Sequence, residues 1–328
     1  MRIAPNLTKI DSFEICNPSD PTLVQTYPAV AFNGQNYIVT WSDEKIGGAN
    51  YYYTVVARVS PQGVVLDTGA CISNGTGGSE LRPDIAFDGN RCLVVWPKSS
   101  TGIFGRFVNR SGLPEGNIIT IVAGYAGGAA IAYGSTNYLV IYYAGSYPDL
   151  KIYGRIVDTN GNLVGNVINI ATSTGCHRMG DVVFDGSKVL IVWMKGESTQ
   201  EIWGQFVDVD GSLIGNNFQI SDASSTRRWY PAVATSDRNA LVVWHQGTSA
   251  YDVYGNVDIS TVGVEEEERR HFTDFVATII SGPIWLPKDR NCRIYDISGR
   301  EIKPERAKPG VYFLEIDGRI SQKVVKIR

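Results

Sequence analysis

Asp84 and Asp181 stand at the same place in two closely similar stretches, PDIAFDGNRCLVVW (83–96) and GDVVFDGSKVLIVW (180–193). Two carboxylates held about 5 to 9.5 Å apart can share the cleavage of a glycosidic bond, one protonating the leaving oxygen while the other acts as base or nucleophile. The two acids are therefore candidates for an acid–base pair. The PD and GD dipeptides also belong to a longer repeated pattern, so capping of strand ends is the competing account of them. No third acid occupies the matching place in the related stretches, which carry Ala29, Ala130 and Ala232.

A second group of residues suits binding. Tyr27, Arg82, Tyr143, Arg178, Trp229, Tyr230 and His245, together with Tyr51, Tyr52, Tyr147 and His177, fall in or beside longer irregular segments. Aromatic planes offer apolar area with hydrogen-bonding edges, which fits sugar rings or a protein surface. The alternative is that many of them plug a central channel or pack between neighbouring units.

Other chemistries are poorly served. The three histidines and five cysteines (Cys16, Cys71, Cys92, Cys176, Cys292) lack the spacing of zinc ligands. Cys92 sits in an apolar run, as a small hydrophobe does. DVDGS (208–212) lacks the later acceptors of a calcium-binding EF-hand loop and reads as a hairpin turn. No Ser-His-Asp set and no phosphate-cradling glycine loop stands out, so neither a metal nor a cofactor is expected. A net charge of −3 argues against a nucleic-acid partner. No run approaches the roughly 18 to 20 apolar residues of a membrane-spanning helix.

The elements that position these residues come from a repeat. Five stretches align: PAVAFNGQNYIVTW (28–41), the two quoted above, AAIAYGSTNYLVIY (129–142) and PAVATSDRNALVVW (231–244). Their closing aromatics, Trp41, Trp96, Tyr142, Trp193 and Trp244, lie 55, 46, 51 and 51 residues apart. Each unit reads as four strands joined by Gly, Asn and Asp turns, with the second strand apolar on both faces because neighbouring units sandwich it. The fifth unit has three strands, and SFEICNPSD (12–20) matches the outer strands FQISDASS and ACISNGTG. An N-terminal strand would thus complete the last unit in a one-plus-three closure. Arg58, Arg106, Arg155, Gln205 and Asn256 recur at one position and predict a hydrogen-bond ladder between units.

Units of about 50 residues with four strands are the signature of a β-propeller. The repeats resemble those of bacterial five-bladed propellers built on PxVAFDGxxYLVVW, over about residues 10–262. Five-bladed glycosidases resembling arabinanases place catalytic carboxylates near the axis, and that resemblance would give Asp84 and Asp181 this role. The longer connections, 42–53, 143–151, 173–180, 224–231 and 245–252, gather on one face, where a rigid scaffold carries binding.

After a charged linker, 263–274, containing VEEEERR, the character changes. RIYDISGREI, KPGVYFLEI and a terminal KVVKIR resemble the C-terminal sorting domain of type IX secretion substrates, although the usual Asn-Pro-rich first strand is replaced by ISGPIWLP. The resemblance implies type IX secretion machinery as a partner, an extracellular or outer-surface location, and a leader not present in MRIAPNLTKIDSFE, which has no apolar core of its own.

The expected architecture is therefore all-β: a five-bladed β-propeller (1–262) followed by a small antiparallel β-sandwich (275–328). The function expected first is a non-enzymatic binding or scaffold module for a glycan or surface protein. A self-assembling subunit of an extracellular filament or coat, binding copies of itself, and a glycoside hydrolase are the alternatives.

Overall fold

The computed structural model describes residues 2–3, 9–16, 23–44, 51–67, 69–73, 80–222, 226–236, 239–248, 251–257, 278–280, 284, 292–296, 300–316 and 319–326. The chain divides into two compact units, Met1–Val264 and Glu265–Arg328. The first is a five-bladed β-propeller. Its blades begin with the innermost strands Gln25–Phe32, Asp84–Phe87, Ala126–Tyr133, His177–Phe184 and Arg227–Thr235. Each is the first strand of an antiparallel sheet of four, or in blade five of three.

The turn inside each repeat explains why the unit recurs. Asn33, Asp88 and Asp185 each use Oδ1 to accept the backbone N–H groups two and three residues on, at 2.7 to 3.1 Å. A short polar side chain thereby closes the turn by itself, and the following Gly34, Gly89 and Gly186 take the positive φ it requires.

The second strands fill the spaces between blades. Ile38 and Val56 of blade one meet Ile85 and Trp96 of blade two, and comparable clusters join blades two to three, three to four and four to five. An outer-strand isoleucine caps each of these junctions: Ile72, Ile121, Ile170 and Ile220 all pack against the next blade. The junction of blade five with blade one differs. There Val30 and Phe32 are 59% and 47% exposed, and Leu241 and Val253 of blade five are 43% and 72% exposed. Phe13, Ile15 and Cys16 lie against Val39, Trp41 and Val55 of blade one. The pairing that would complete blade five is not among the described strand pairs, where Lys9–Asp11 runs beside Arg2–Ile3.

The recurrent polar position builds only part of the expected ladder. Arg106 and Asn256 donate to the carbonyls of Ile72 and Ile220 in the preceding blades. Gln205 accepts from Asn217 Nδ2, which also reaches Ile170 O. Arg58 pairs with Asp67, and Arg155 with the Gly165 carbonyl, each inside its own blade.

His177 belongs to this framework and not to a binding face, contrary to the sequence expectation. It is 1% exposed, and Trp193 Nε1 donates to its Nδ1 at 2.9 Å. Desolvation, aided by Lys195, lowers its pKa to about 4. The unfolded chain therefore takes up a proton near pH 6.5 that the folded chain refuses until about pH 4. Stability should fall by on the order of 2 kcal/mol as pH drops through that window. Urea unfolding of wild type and His177→Gln between pH 7 and 4 checks this, since the glutamine variant should lose that part of the slope.

In the second unit, Thr278–Ile280, Arg319–Lys326, Gly310–Ile316 and Cys292–Asp296 form one sheet in that order. The first pair is parallel and the others antiparallel. Among the described residues this is a single mixed sheet over Ile284, Ile294, Ala307, Tyr312 and Leu314, not the antiparallel sandwich expected. The charged linker lies wholly outside the described residues. No helix among the described residues is long and apolar enough to cross a membrane.

Candidate active site

The innermost strands do not run straight into the axis. Their pairing with the second strand slips between Thr26 and Ala29, Gly127 and Ala130, Arg178 and Asp181, and Trp229 and Ala232. Such bulges bend a strand and re-aim its side chains. At this point Tyr27, Arg82 and Tyr230 each precede a proline and hold φ values of 54°, 57° and 54°; Gly128, at the equivalent place, has 63°. Left-handed backbone at a non-glycine residue costs about 1 kcal/mol or more, and such strain collects at functional sites.

The bulges open an axial funnel of about 260 Å³ lined by all five blades: Tyr27–Pro28, Arg82–Asp84, Gly128–Ala130, Gly180–Asp181 and Tyr230–Pro231. This lies just below the usual range of about 300 to 1,000 Å³ for ligand pockets and suits one sugar ring better than a chain.

Asp84 and Asp181 face this funnel from blades two and four. Asp84 accepts from Ile85 N at 2.8 Å and, across the blade boundary, from Ile131 N at 2.9 Å. Asp181 repeats the arrangement with Val182 N at 2.8 Å and Val233 N at 2.9 Å. Each acid thus clamps its blade to the next, which explains why the pattern alternates with alanine: the residues after Ala130 and Ala232 supply the donated N–H groups. Clamping does not exhaust the acids. Desolvation, reinforced by the charge of Asp181, raises the Asp84 pKa to about 7 against the pull of its two N–H donors. Desolvation likewise raises Asp181, whose two hydrogen bonds oppose it.

At the mouth, the Arg82 guanidinium carbon lies 4.5 Å from the Tyr27 ring centre and 5.2 Å from that of Tyr230. Tyr230 meets His245 edge-on at 5.9 Å and Trp229 at 6.3 Å. Arg178 stands over Trp229 at 5.5 Å. The Tyr143 ring covers Gly127 and Gly128 so closely that a Cβ on Gly128 would come within 2.6 Å of it. Desolvation raises the Tyr143 hydroxyl pKa, and the charges of Arg82 and Arg178 pull it back.

Of the seven binding candidates Tyr27, Arg82 and Tyr230 line the funnel, Tyr143, Trp229 and His245 pack against its lining residues, and Arg178 stands over Trp229; all but Arg82 lie on strands where loops were expected. Tyr27, Tyr143, Arg178, Trp229, Tyr230 and His245 belong to Gln25–Phe32, Asn137–Ser146, His177–Phe184, Arg227–Thr235 and Ala240–Gly247. The supposed loop at 143–151 is a hairpin paired down to Ser146 and Asp149. Tyr51, Tyr52 and Tyr147 do not line the funnel. Sequence reasoning missed the strained residues before proline. The signal was there in the repeated Tyr-Pro, Arg-Pro and Tyr-Pro, but a residue before proline reads as extended, not left-handed.

No family model matches the chain, and no curated protein matches it. Among solved structures, a protein of unknown function from Dyadobacter fermentans superposes with a TM-score of 0.56 at 10% identity, covering 74% of this chain and 80% of that one. The GH43 endo-arabinanase from Bacillus licheniformis gives 0.44 at 10% identity, covering 74% and 96%. The α-L-arabinofuranosidase from Lactobacillus brevis gives 0.46 at 10% identity, covering 72% and 90%. At such identities the likeness is one of fold.

The expectation of a non-enzymatic binding or scaffold module is corrected at this point. It assigned the acids to structure and the function to aromatic loops. The funnel instead joins both groups, with two desolvated acids of raised pKa beneath the aromatic mouth, as the glycoside hydrolase alternative requires.

Proposed function

We propose that the propeller is a glycoside hydrolase that binds a sugar ring in the axial funnel and cleaves its glycosidic bond with Asp84 and Asp181. The observation that carries this reading is a pair of acids facing one pocket, both raised above the ordinary carboxylate value chiefly by desolvation. Asp84, raised to about 7 with the charge of Asp181 reinforcing the effect, suits the general acid, and Asp181 is assigned the base. Tyr27 and Tyr230 offer ring faces at the mouth. The activities named for the arabinanase and arabinofuranosidase above belong to the same reaction class. Release of reducing ends from a panel of polysaccharides and aryl glycosides tests the proposal, and a panel without any turnover overturns it.

We infer also that the ring closes through its N-terminal strand. The support is positional: Ile15 meets blade one where Ile72, Ile121, Ile170 and Ile220 meet their following blades. Ile15→Ser should then destabilise the propeller by about 1 to 2 kcal/mol. Urea unfolding measures this, and an unchanged midpoint would count against the closure. The likeness of the tail to type IX sorting domains supports action outside the cell on an extracellular polymer.

A further inference from the structure

The funnel is layered, because its lining residues fall at equivalent positions of the repeat. The middle layer is a collar of Pro28, Pro83, Ala129, Gly180 and Pro231, one residue from each blade. Asp84, Ala130 and Asp181 each stand one residue further along the strand, and Tyr27, Arg82 and Tyr230 each stand one residue before it, at the mouth. The collar carries no polar side chain, and proline at three of its five positions removes the backbone N–H as well.

The polar groups at either end are already engaged. At the mouth the Arg82 guanidinium carbon lies 4.5 and 5.2 Å from the Tyr27 and Tyr230 ring centres. Toward the floor each acid accepts one backbone N–H on each carboxylate oxygen. Every such oxygen keeps a second lone pair, so a hydroxyl of a ligand can still donate to it.

A pyranose meets such a site unequally. Its faces are largely C–H and suit the rings of Tyr27 and Tyr230, whereas its edge carries the hydroxyls and the exocyclic carbon. Hydroxyls near the acids find acceptors. A hydroxyl directed at the collar finds no side chain to replace the water it loses on entry. A methyl group at the same place buries apolar area against proline and alanine.

We propose that the sugar taken by this funnel is a 6-deoxyhexose, its C6 methyl group seated against the collar of Pro28, Pro83, Ala129 and Pro231 while ring hydroxyls reach Asp84 and Asp181. A funnel of about 260 Å³ closes around one such ring and leaves little room for water to solvate a hydroxymethyl arm.

The proposal rests on the hydrolase reading for placing the ring over the acids, so binding and turnover are read separately. Calorimetric titrations use the full chain carrying Asp84→Asn and Asp181→Asn, which prevents turnover. The probes are methyl glycosides matched except for the C6 hydroxyl: L-fucoside against L-galactoside, D-fucoside against D-galactoside, and L-rhamnoside against L-mannoside. Wild type is assayed on the corresponding nitrophenyl glycosides, whose kcat/KM ratios within each pair do not depend on the asparagines. The expected result is one pair in which the deoxy sugar binds about tenfold to a hundredfold tighter than its partner. Ala129→Ser puts a hydroxyl into the collar and should narrow that ratio severalfold. Ala129 is only 7% exposed, so Pro28→Ser, at an exposed position, is made alongside it and should act in the same direction.

Equal affinity within every pair, preference for the hydroxylated member, a deoxy preference untouched by both serine variants, or no binding of any probe overturns the proposal. Deoxy preference in binding with no turnover of any glycoside by wild type would sustain it while removing the hydrolase reading. Turnover by wild type without a deoxy preference would do the reverse.

Discussion

Asp84→Asn is expected to lower hydrolysis by about 10²- to 10⁴-fold, the usual share of a positioned general acid. It should also remove the upper limb of the pH profile. In wild type the rate should fall as pH rises through about 7, where Asp84 gives up the proton the leaving oxygen needs. On the lower side the rate should fall as Asp181 takes up a proton, above the ordinary carboxylate value of 3.8. Proton holding by Asp84 also stabilises the fold, because its folded pKa exceeds its unfolded one. That contribution is full below pH 3.8 and is lost as pH rises to about 7. The variant should nonetheless fold. Asparagine keeps one of the two acceptor oxygens, and the unsatisfied N–H, worth about 1 to 3 kcal/mol, is offset by removal of a desolvated charge. Initial rates between pH 4 and 9, with unfolding midpoints for both proteins, check all of this. A variant with full activity and an unaltered profile would mean that Asp84 serves only to clamp blades two and three.

Trp193→Ala is expected to produce the largest loss of stability. The side chain is 0% exposed and lies among Ile141, Ile152, Ile170 and Ile191 between blades three and four. Its indole N–H satisfies His177 Nδ1. Truncation removes that packing, leaves a cavity between two sheets and strips a buried imidazole of its partner. Core Trp-to-Ala changes cost about 3 to 5 kcal/mol. At about 2 to 4 °C per kcal/mol for a domain of this size, the melting temperature should drop by roughly 10 °C. Calorimetry measures it. A drop of about one degree would mean that the repeat's closing aromatic is not what holds neighbouring blades together.

The two predictions fall on opposite sides of what the amino-acid sequence discloses. Trp193 was legible, because an aromatic closing an apolar run every 46 to 55 residues can only be the filling between stacked sheets. The Asn-Gly and Asp-Gly turns were legible for the same local reason: Asn33 and Asp88 need only their own backbone to form them. Asp84 was visible as a residue but not as an acid of altered strength. Its pKa depends on Asp181, 97 residues further along, and on the closure that removes water from both. The repeat even argued the other way, since recurrence suggests structure, and the hydrogen bonds to Ile131 and Val233 show that structural role to be present as well. Tyr27 and Tyr230 were placed on loops because strand ends cannot be read past a bulge, whereas Arg82 does precede its strand, Asp84–Phe87. Their left-handed backbone arises from fitting five strands around one axis, which no local pattern encodes. His177 looked like a surface residue from its polar neighbours, and only the register of His177–Phe184 beside Val189–Lys195 turns it inward to Trp193.

The central claim is that the two acids of the funnel break a glycosidic bond, and its most direct test is reducing-end release by wild type and by the Asp84→Asn, Asp181→Asn double variant on the same oligosaccharide. Both proteins should unfold at comparable temperatures. The account predicts turnover by wild type, none by the double variant, and retained binding in the latter. Equal turnover by the two proteins, or none by either on any glycan, would contradict it.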